Sequence, residues 1–220
     1  MRPMERYDLE IHNNRKKRSE AILDAAEYLF AKNGIENTTM QEIADSTNIG
    51  VATVFRFFPR KEKIIVEIAT KNLRDVLRVF QEISALQVTC LEKVEKLLEH
   101  FLTMLRSEHD DTIKMLENFD TYTSRLKEPL EGIDQFKTIY REISNVFSGI
   151  IEEGITDGTI RSDINIKETL ITLINTVGLF ARKLSIQKSI LFIHLDLEPE
   201  RQLEILKNIV LEYLTNSVRK

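Results

Sequence analysis

Residues 38–64 read TTMQEIADSTNIGVATVFRFFPRKEKI, and their reading decides the fold. Thr39 and Glu42 have the T-x-x-E spacing of a capping box, which satisfies free N–H groups at a helix start. Met40, Ile43 and Ala44 then fall on one helical face. Asn48 tolerates a positive φ, so this helix is expected to stop near Ser46-Thr47. Gly50 can cap the next helix, in which Val54, Phe57 and Phe58 are expected inside and Val51, Ala52, Phe55 and Arg56 outside. Pro59 stops it, because the residue before a proline is pushed out of α geometry. Two helices joined by a turn of about three residues match the helix-turn-helix signature. Plain αα-hairpins share that geometry, so spacing alone leaves both readings open.

Further pieces lie in order around this stretch: Ile22-x-x-Ala25-Ala26-x-x-Leu29-Phe30, Lys32-Asn33-Gly34, Thr38-Thr39-x-x-x-Ile43-Ala44, Val54-Phe55-x-Phe57-Phe58 and Lys61-Glu62. Over roughly residues 15–68 the chain resembles the TetR-type transcription regulators. The resemblance implies a dimeric one-component regulator whose divergent C-terminal helical domain binds a small molecule that releases the DNA. It also implies that the last two helices form a four-helix bundle in the dimer. The sequence departs from the family pattern in places. Asn48 stands where glycine is common, and Val51 where lysine or another polar residue is frequent. Phe55 and Phe57 stand where tyrosines are frequent, which removes two hydroxyls able to meet phosphate. Arg60 replaces a small residue before Lys61 and can supply a substitute contact.

Charge distribution agrees with a DNA-facing first part. The net charge is −4, but residues 1–63 carry 11 Lys/Arg against 10 Asp/Glu and the remainder 20 against 25. The basic residues concentrate in Arg15-Lys16-Lys17-Arg18 and in Arg56, Arg60, Lys61 and Lys63, where a helix-turn-helix protein meets phosphates. Arg15–Arg18 in the first turn of a helix starting near Asn14 oppose its dipole, which points to another use for them. Solvated charge clusters are the bland alternative.

Seven Gly and four Pro in 220 residues predict long helices and few turns. The fold class expected is all-α: an N-terminal three-helix DNA-binding domain with a helix-turn-helix, and a C-terminal helical ligand-binding and dimerisation domain. The expected partition is a flexible arm or a weak helical extension at 1–13, the DNA-binding domain at 14–62 and the regulatory and dimerisation domain at 63–220. A fourth helix from Lys61 links the two domains. Later helices are expected at about Leu91–Ser107, Thr112–Leu126, from around Pro129 to Ile133 up to Glu153, Lys167–Ser185 and Glu198–Ser217. The eighth is apolar nearly all round and therefore expected to be buried on two sides. The apolar run Ser189–Leu195, within the stretch 186–197, reads as an extension of that helix or a packed linker.

Cys90 is the single cysteine, so an intrachain disulfide is excluded, and a buried inert thiol is the expected state. No secretory signal is evident, and the longest uncharged run, Thr169 to Ala181, is too short to span a bilayer. A cytoplasmic protein without membrane association is expected. No G-x-S-x-G, G-x-G-x-x-G or G-x-x-x-x-G-K motif occurs, and His12, His100, His109 and His194 show no paired metal spacing. The chain is therefore not read as an enzyme, and neither a cofactor nor a metal is expected.

The reading is a sequence-specific DNA-binding regulator: a homodimeric repressor on a palindromic double-stranded operator, released by a small apolar or aromatic effector. A regulator without such an effector, and a helical ligand-binding protein with a vestigial helix-turn-helix, are the alternatives. DNA contacts are expected from Arg15, Lys16, Thr39, Gly50, Val51, Ala52, Thr53, Phe55, Arg56, Arg60 and Lys61. Thr39, Arg56 and Lys61 are assigned to phosphates, and Val51, Ala52, Thr53 and Phe55 to base edges. An effector pocket is expected among His100, Met104, Met115, Phe119, Tyr122, Arg125, Tyr140 and Phe147, whose large and adaptable side chains suit an apolar ligand. Singly, each aromatic reads as ordinary core. The dimer interface is expected at Leu173, Val177, Phe180, Leu206, Ile209, Val210 and Tyr213.

Overall fold

The computed structural model describes the backbone of residues 3–106, 112–190 and 199–215, and their side chains except those of 3–11, 105–106, 112–114, 117, 177–178, 181–190 and 199–200. The described residues form nine α-helices in the order α1 (Pro3–Asn33), α2 (Met40–Thr47), α3 (Val51–Phe57), α4 (Lys61–Ser84), α5 (Cys90–Arg106), α6 (Thr112–Thr123), α7 (Ile133–Asp157), α8 (Ile166–Ile190) and α9 (Pro199–Thr215). Of the flexible arm and the helical extension expected at 1–13, the structure has helix from Pro3 onward. Proline at a first helical position costs nothing, and no glycine interrupts the chain before Gly34. The helix α8 likewise runs past Ser185 to Ile190, and the run to Leu195 beyond it lies outside the described residues.

Backbone packing divides the chain into two compact units, Met1–Lys71 with Lys114–Phe136 and Asn72–Ile113 with Lys137–Lys220. The expected boundary at 62/63 falls inside α4, and residues 114–136 group with the first unit, not with the regulatory part. One core explains this grouping. Ile22, Ala26 and Phe30 of α1, Ile43 and Ala44 of α2, Val54 and Phe58 beside α3, and Ile64, Ile65 and Ile68 of α4 cluster with Met115 and Phe119 of α6 and with Leu130. Removing each large side chain from water contributes about 1.5–3 kcal/mol, so α6 shares in the stability of the helix-turn-helix.

Polar contacts fasten α6 to the same unit. Asn118 Nδ2 donates to Phe30 O at 2.9 Å, a carbonyl near the end of α1 that also accepts from the Gly34 N–H at 3.0 Å. The Arg125 guanidinium donates to both Glu36 oxygens at 2.9 and 2.8 Å. The Tyr122 hydroxyl is hydrogen-bonded to Glu62, and burial together with Glu62 and Glu36 raises its ionisation above the usual phenol range. The Lys63 ammonium meets Glu131 at 2.9 Å.

In the second unit α5 opens on another capping box: the Thr89 N–H and hydroxyl both donate to Glu92 at 2.8 Å, and the Glu92 N–H donates back at 3.2 Å. Its T-x-x-E signal was legible in the sequence and not used. Lys207 on α9, with a side chain only 11% exposed, meets Glu95 and Glu99 of α5 at 3.5 Å each. Phe180 of α8 packs on the buried pair Leu102 and Leu203. At the start of α5, Cys90 is buried, and burial, then Glu153 and Asp157, push its thiol up to about 11. It is a neutral packing group at physiological pH, as its sequence context suggested.

Candidate nucleic-acid interface

The turn between α2 and α3 is built as its residues require. The Thr39 N–H donates to Glu42 Oε2 at 2.7 Å, and the Glu42 N–H donates to Thr39 Oγ1 at 3.2 Å, closing the capping box. These bonds hold the Glu42 carboxyl below its ordinary value, so the box opens only as pH falls through that lowered value. Asn48 takes φ 54°, ψ 33° and its N–H returns to Asp45 O, while Ile49 N–H returns to Ala44 O. Gly50 caps α3, and the N–H groups of Thr53 and Val54 reach its carbonyl at 2.7 and 3.2 Å.

This frame orients α3. Val54 and Phe58 are buried at 0% and 5% exposure and hold the helix to the core. Ala52, Phe55 and Arg56 lie on the exposed side, with Phe55 at 46%. Thr53 is half-buried, and Val51, expected outside, is also half-buried and packs against the core cluster. Arg15, Lys16 and Arg60 are exposed, and Lys16 makes a loose pair with Glu20 at 3.8 Å. The exposed face of α3 is thus Ala52, Phe55 and Arg56, with Arg15, Lys16 and Arg60 on the same unit.

Two expected phosphate contacts have other tasks. The Thr39 hydroxyl belongs to the capping box, donating to Glu42 at 2.8 Å. The Lys61 ammonium donates to Ile35 O at 2.7 Å, to Thr38 O at 2.8 Å and to Glu36 O at 3.4 Å. A lysine ammonium has three protons, so all are committed to the loop between α1 and α2. Burial lowers its ionisation from the usual lysine value, against the upward pull of Glu62, Glu36 and Glu42. Nothing in the sequence marks those backbone acceptors. Lys61→Ala should therefore cost about 1–3 kcal/mol of stability through its orphaned carbonyls. The salt slope of DNA binding should stay unchanged, which denaturation and salt titration of the same variant will check.

The eight residues expected around an effector divide between the units. Met115 and Phe119 are core of the first, and the Phe119 ring lies 4.9 Å from that of Phe136. Tyr122 and Arg125 also belong there, bonded to Glu62 and Glu36. His100 and Met104 are half-buried in the second unit, Phe147 is buried, and Tyr140 is 38% exposed. Among the described residues no group of three or more metal-ligating side chains occurs, and no helix is long and apolar enough to cross a membrane.

The model of the family "bacterial regulatory proteins, tetR family" matches residues 22–68. The HTH-type transcriptional regulator YhgD of Bacillus subtilis (strain 168) is 30% identical over 145 residues, which are 66% of this chain and 72% of that protein. The chain belongs to the TetR family. A second TetR-type relative is the HTH-type transcriptional repressor KstR2 of Rhodococcus jostii (strain RHA1), 28% identical over 152 residues, covering 66% of this chain and 69% of that one. The fold matches the transcriptional regulator FadR of Bacillus subtilis, solved in complex with stearoyl-CoA, with a TM-score of 0.66 at 18% identity over 89% of this chain and 98% of that one. As a TetR-family member the chain is a DNA-binding transcription regulator, not an enzyme.

Proposed function

We propose that the protein is a homodimeric cytoplasmic repressor that binds a palindromic operator and leaves it when an acyl thioester of coenzyme A enters the second unit. The exposed Ala52–Phe55–Arg56 face of α3, on a helix fixed from behind by Val54 and Phe58, carries the DNA part of this reading. An alanine methyl and an aromatic ring suit thymine methyl groups, and an arginine suits guanine or phosphate. The relatives support the rest. One is named a repressor, and a protein of the same fold holds stearoyl-CoA. The latter fits a long apolar effector with a charged end. His100, Met104, Tyr140 and Phe147 are the second-unit side chains assigned to it.

Titrating stearoyl-CoA and free coenzyme A into a complex with a selected operator duplex tests this. Stearoyl-CoA should release the DNA and raise the melting temperature of the protein, and free coenzyme A should do neither. Release by neither compound, with DNA binding intact, would leave a regulator with a different signal.

A further inference from the structure

A cavity of about 380 Å³ opens between α1 and α3, lined by Asn14, Arg15, Arg18, Arg56 and Phe57. Three arginines line it, and none of them pairs with a carboxylate whose side chain is described. Like charges held together without a counter-charge repel, and an entering anion relieves the repulsion. Arg56 also belongs to the reading face of α3, so the cavity adjoins the place where base edges are approached. The Arg15 guanidinium lies over the Phe57 ring, 5.9 Å from its centroid. Phe57 itself is half-buried against the core. An arginine is a long side chain with much rotamer freedom to lose, and stacking on a fixed ring reduces that loss. Its planar fork stays available for bidentate contact with phosphate oxygens.

We propose that this cavity seats one backbone phosphate of the duplex, bound by Arg15 and Arg56, and that Phe57 is a positioning residue that holds Arg15 for it. Arg18 and Asn14 complete the cavity wall, and Arg18 adds positive potential. The assignment rests on the DNA-binding reading above. It gives the ring of Phe57 a task in binding, although the ring meets no DNA itself.

The test is a cycle of Arg15→Ala, Phe57→Leu and the double variant, with Phe57→Tyr as the ring-retaining control. Binding to the selected operator duplex and to a random-sequence duplex is followed by fluorescence anisotropy across a salt series. Arg15→Ala should weaken binding about tenfold on both duplexes, and the slope of log affinity against log salt should shrink by about 0.9, one phosphate contact. Phe57→Leu, which keeps apolar volume against the core, should weaken binding about threefold. Phe57→Tyr should bind as tightly as the natural protein or tighter. The double variant should be no weaker than Arg15→Ala alone, because the ring acts only through that arginine. An unchanged slope in Arg15→Ala, or effects of Arg15→Ala and Phe57→Leu that multiply, would overturn the proposal while the DNA reading stands. Salt-insensitive or absent binding by the natural protein would overturn both.

Discussion

Replacing Phe119 by alanine should destabilise the first unit by about 3–5 kcal/mol, the usual cost of emptying a buried phenylalanine site. Phe119 is 3% exposed and lies in one core with Ile22, Phe30, Ile43 and Val54. Its α6 partner Met115 is fully buried there too. The lost contacts belong to the DNA-binding helices, although the residue lies far along the chain from them. A single unfolding free energy is poorly defined for a chain of two units, so hydrogen exchange is the informative measurement. Peptides from 22–58 should lose protection together with those of α6, and peptides from α5 should keep theirs. DNA affinity should fall in parallel. Loss of protection confined to α6 would mean that 114–136 rests on the first unit without helping to hold it.

Changing Ile209 to glutamate should weaken the proposed dimer about 10²–10³-fold, because an unpaired charge would be buried at about 3–5 kcal/mol. The helix α9 has two apolar faces. Leu203, Val210 and Leu214 are buried at 3%, 5% and 0%, whereas Ile205, Ile209 and Tyr213 stand 59%, 57% and 45% exposed one turn apart. The neighbouring α8 adds Ile171 and Leu179 at 51% and 67%. Single exposed apolar residues are ordinary, but a stripe of this length on adjoining helices marks an interaction surface. A second copy of the chain is the occupant that the regulator reading requires, since two reading helices must face one palindrome. Ile209 is exposed in the protomer, so the variant should fold normally. Sedimentation should show a monomer at micromolar concentration, and operator affinity should drop with it. An unchanged dimer would place the interface elsewhere.

Of the residues expected at that interface, Ile209 and Tyr213 face outward, Val210 faces inward, and Leu173, Leu206 and Phe180 are half-buried, with Phe180 packed on Leu102 and Leu203. The side chain of Val177 lies outside the described residues. Leu179 and Ile205 were not singled out from the sequence, although the eight-residue spacing of Ile205 from Tyr213 marks the outward stripe of α9. Periodicity marks a face as apolar but does not say whether the same chain or another covers it. The near-uniform apolarity of α8 predicted burial on two sides. In the protomer Leu170 is buried and Ile171 is not.

The helix-turn-helix was legible because its signals are local. The capping box at Thr39, the left-handed Asn48, the Gly50 cap and the Pro59 stop each act within a few residues. The grouping of 114–136 with that unit was not legible, since the stripe formed by Met115, Phe119 and Tyr122 carries no label of its neighbour. The backbone contacts of Lys61 were not legible for a related reason. A lysine beside a basic cluster reads as a phosphate contact, and the carbonyls of Ile35 and Thr38 that engage it are set by tertiary structure alone. Arg15 shows the reverse: its charge was legible, but its seat on the Phe57 ring, distant in sequence, was not.

Selection of bound sequences from a random duplex library, repeated at low and moderate salt, tests the central claim most directly. The account expects a palindrome with half-site centres about one helical turn, roughly 34 Å, or a multiple of it apart, and an affinity that falls steeply with salt. Binding with no shared motif would contradict it: the exposed face of α3 would then not read sequence.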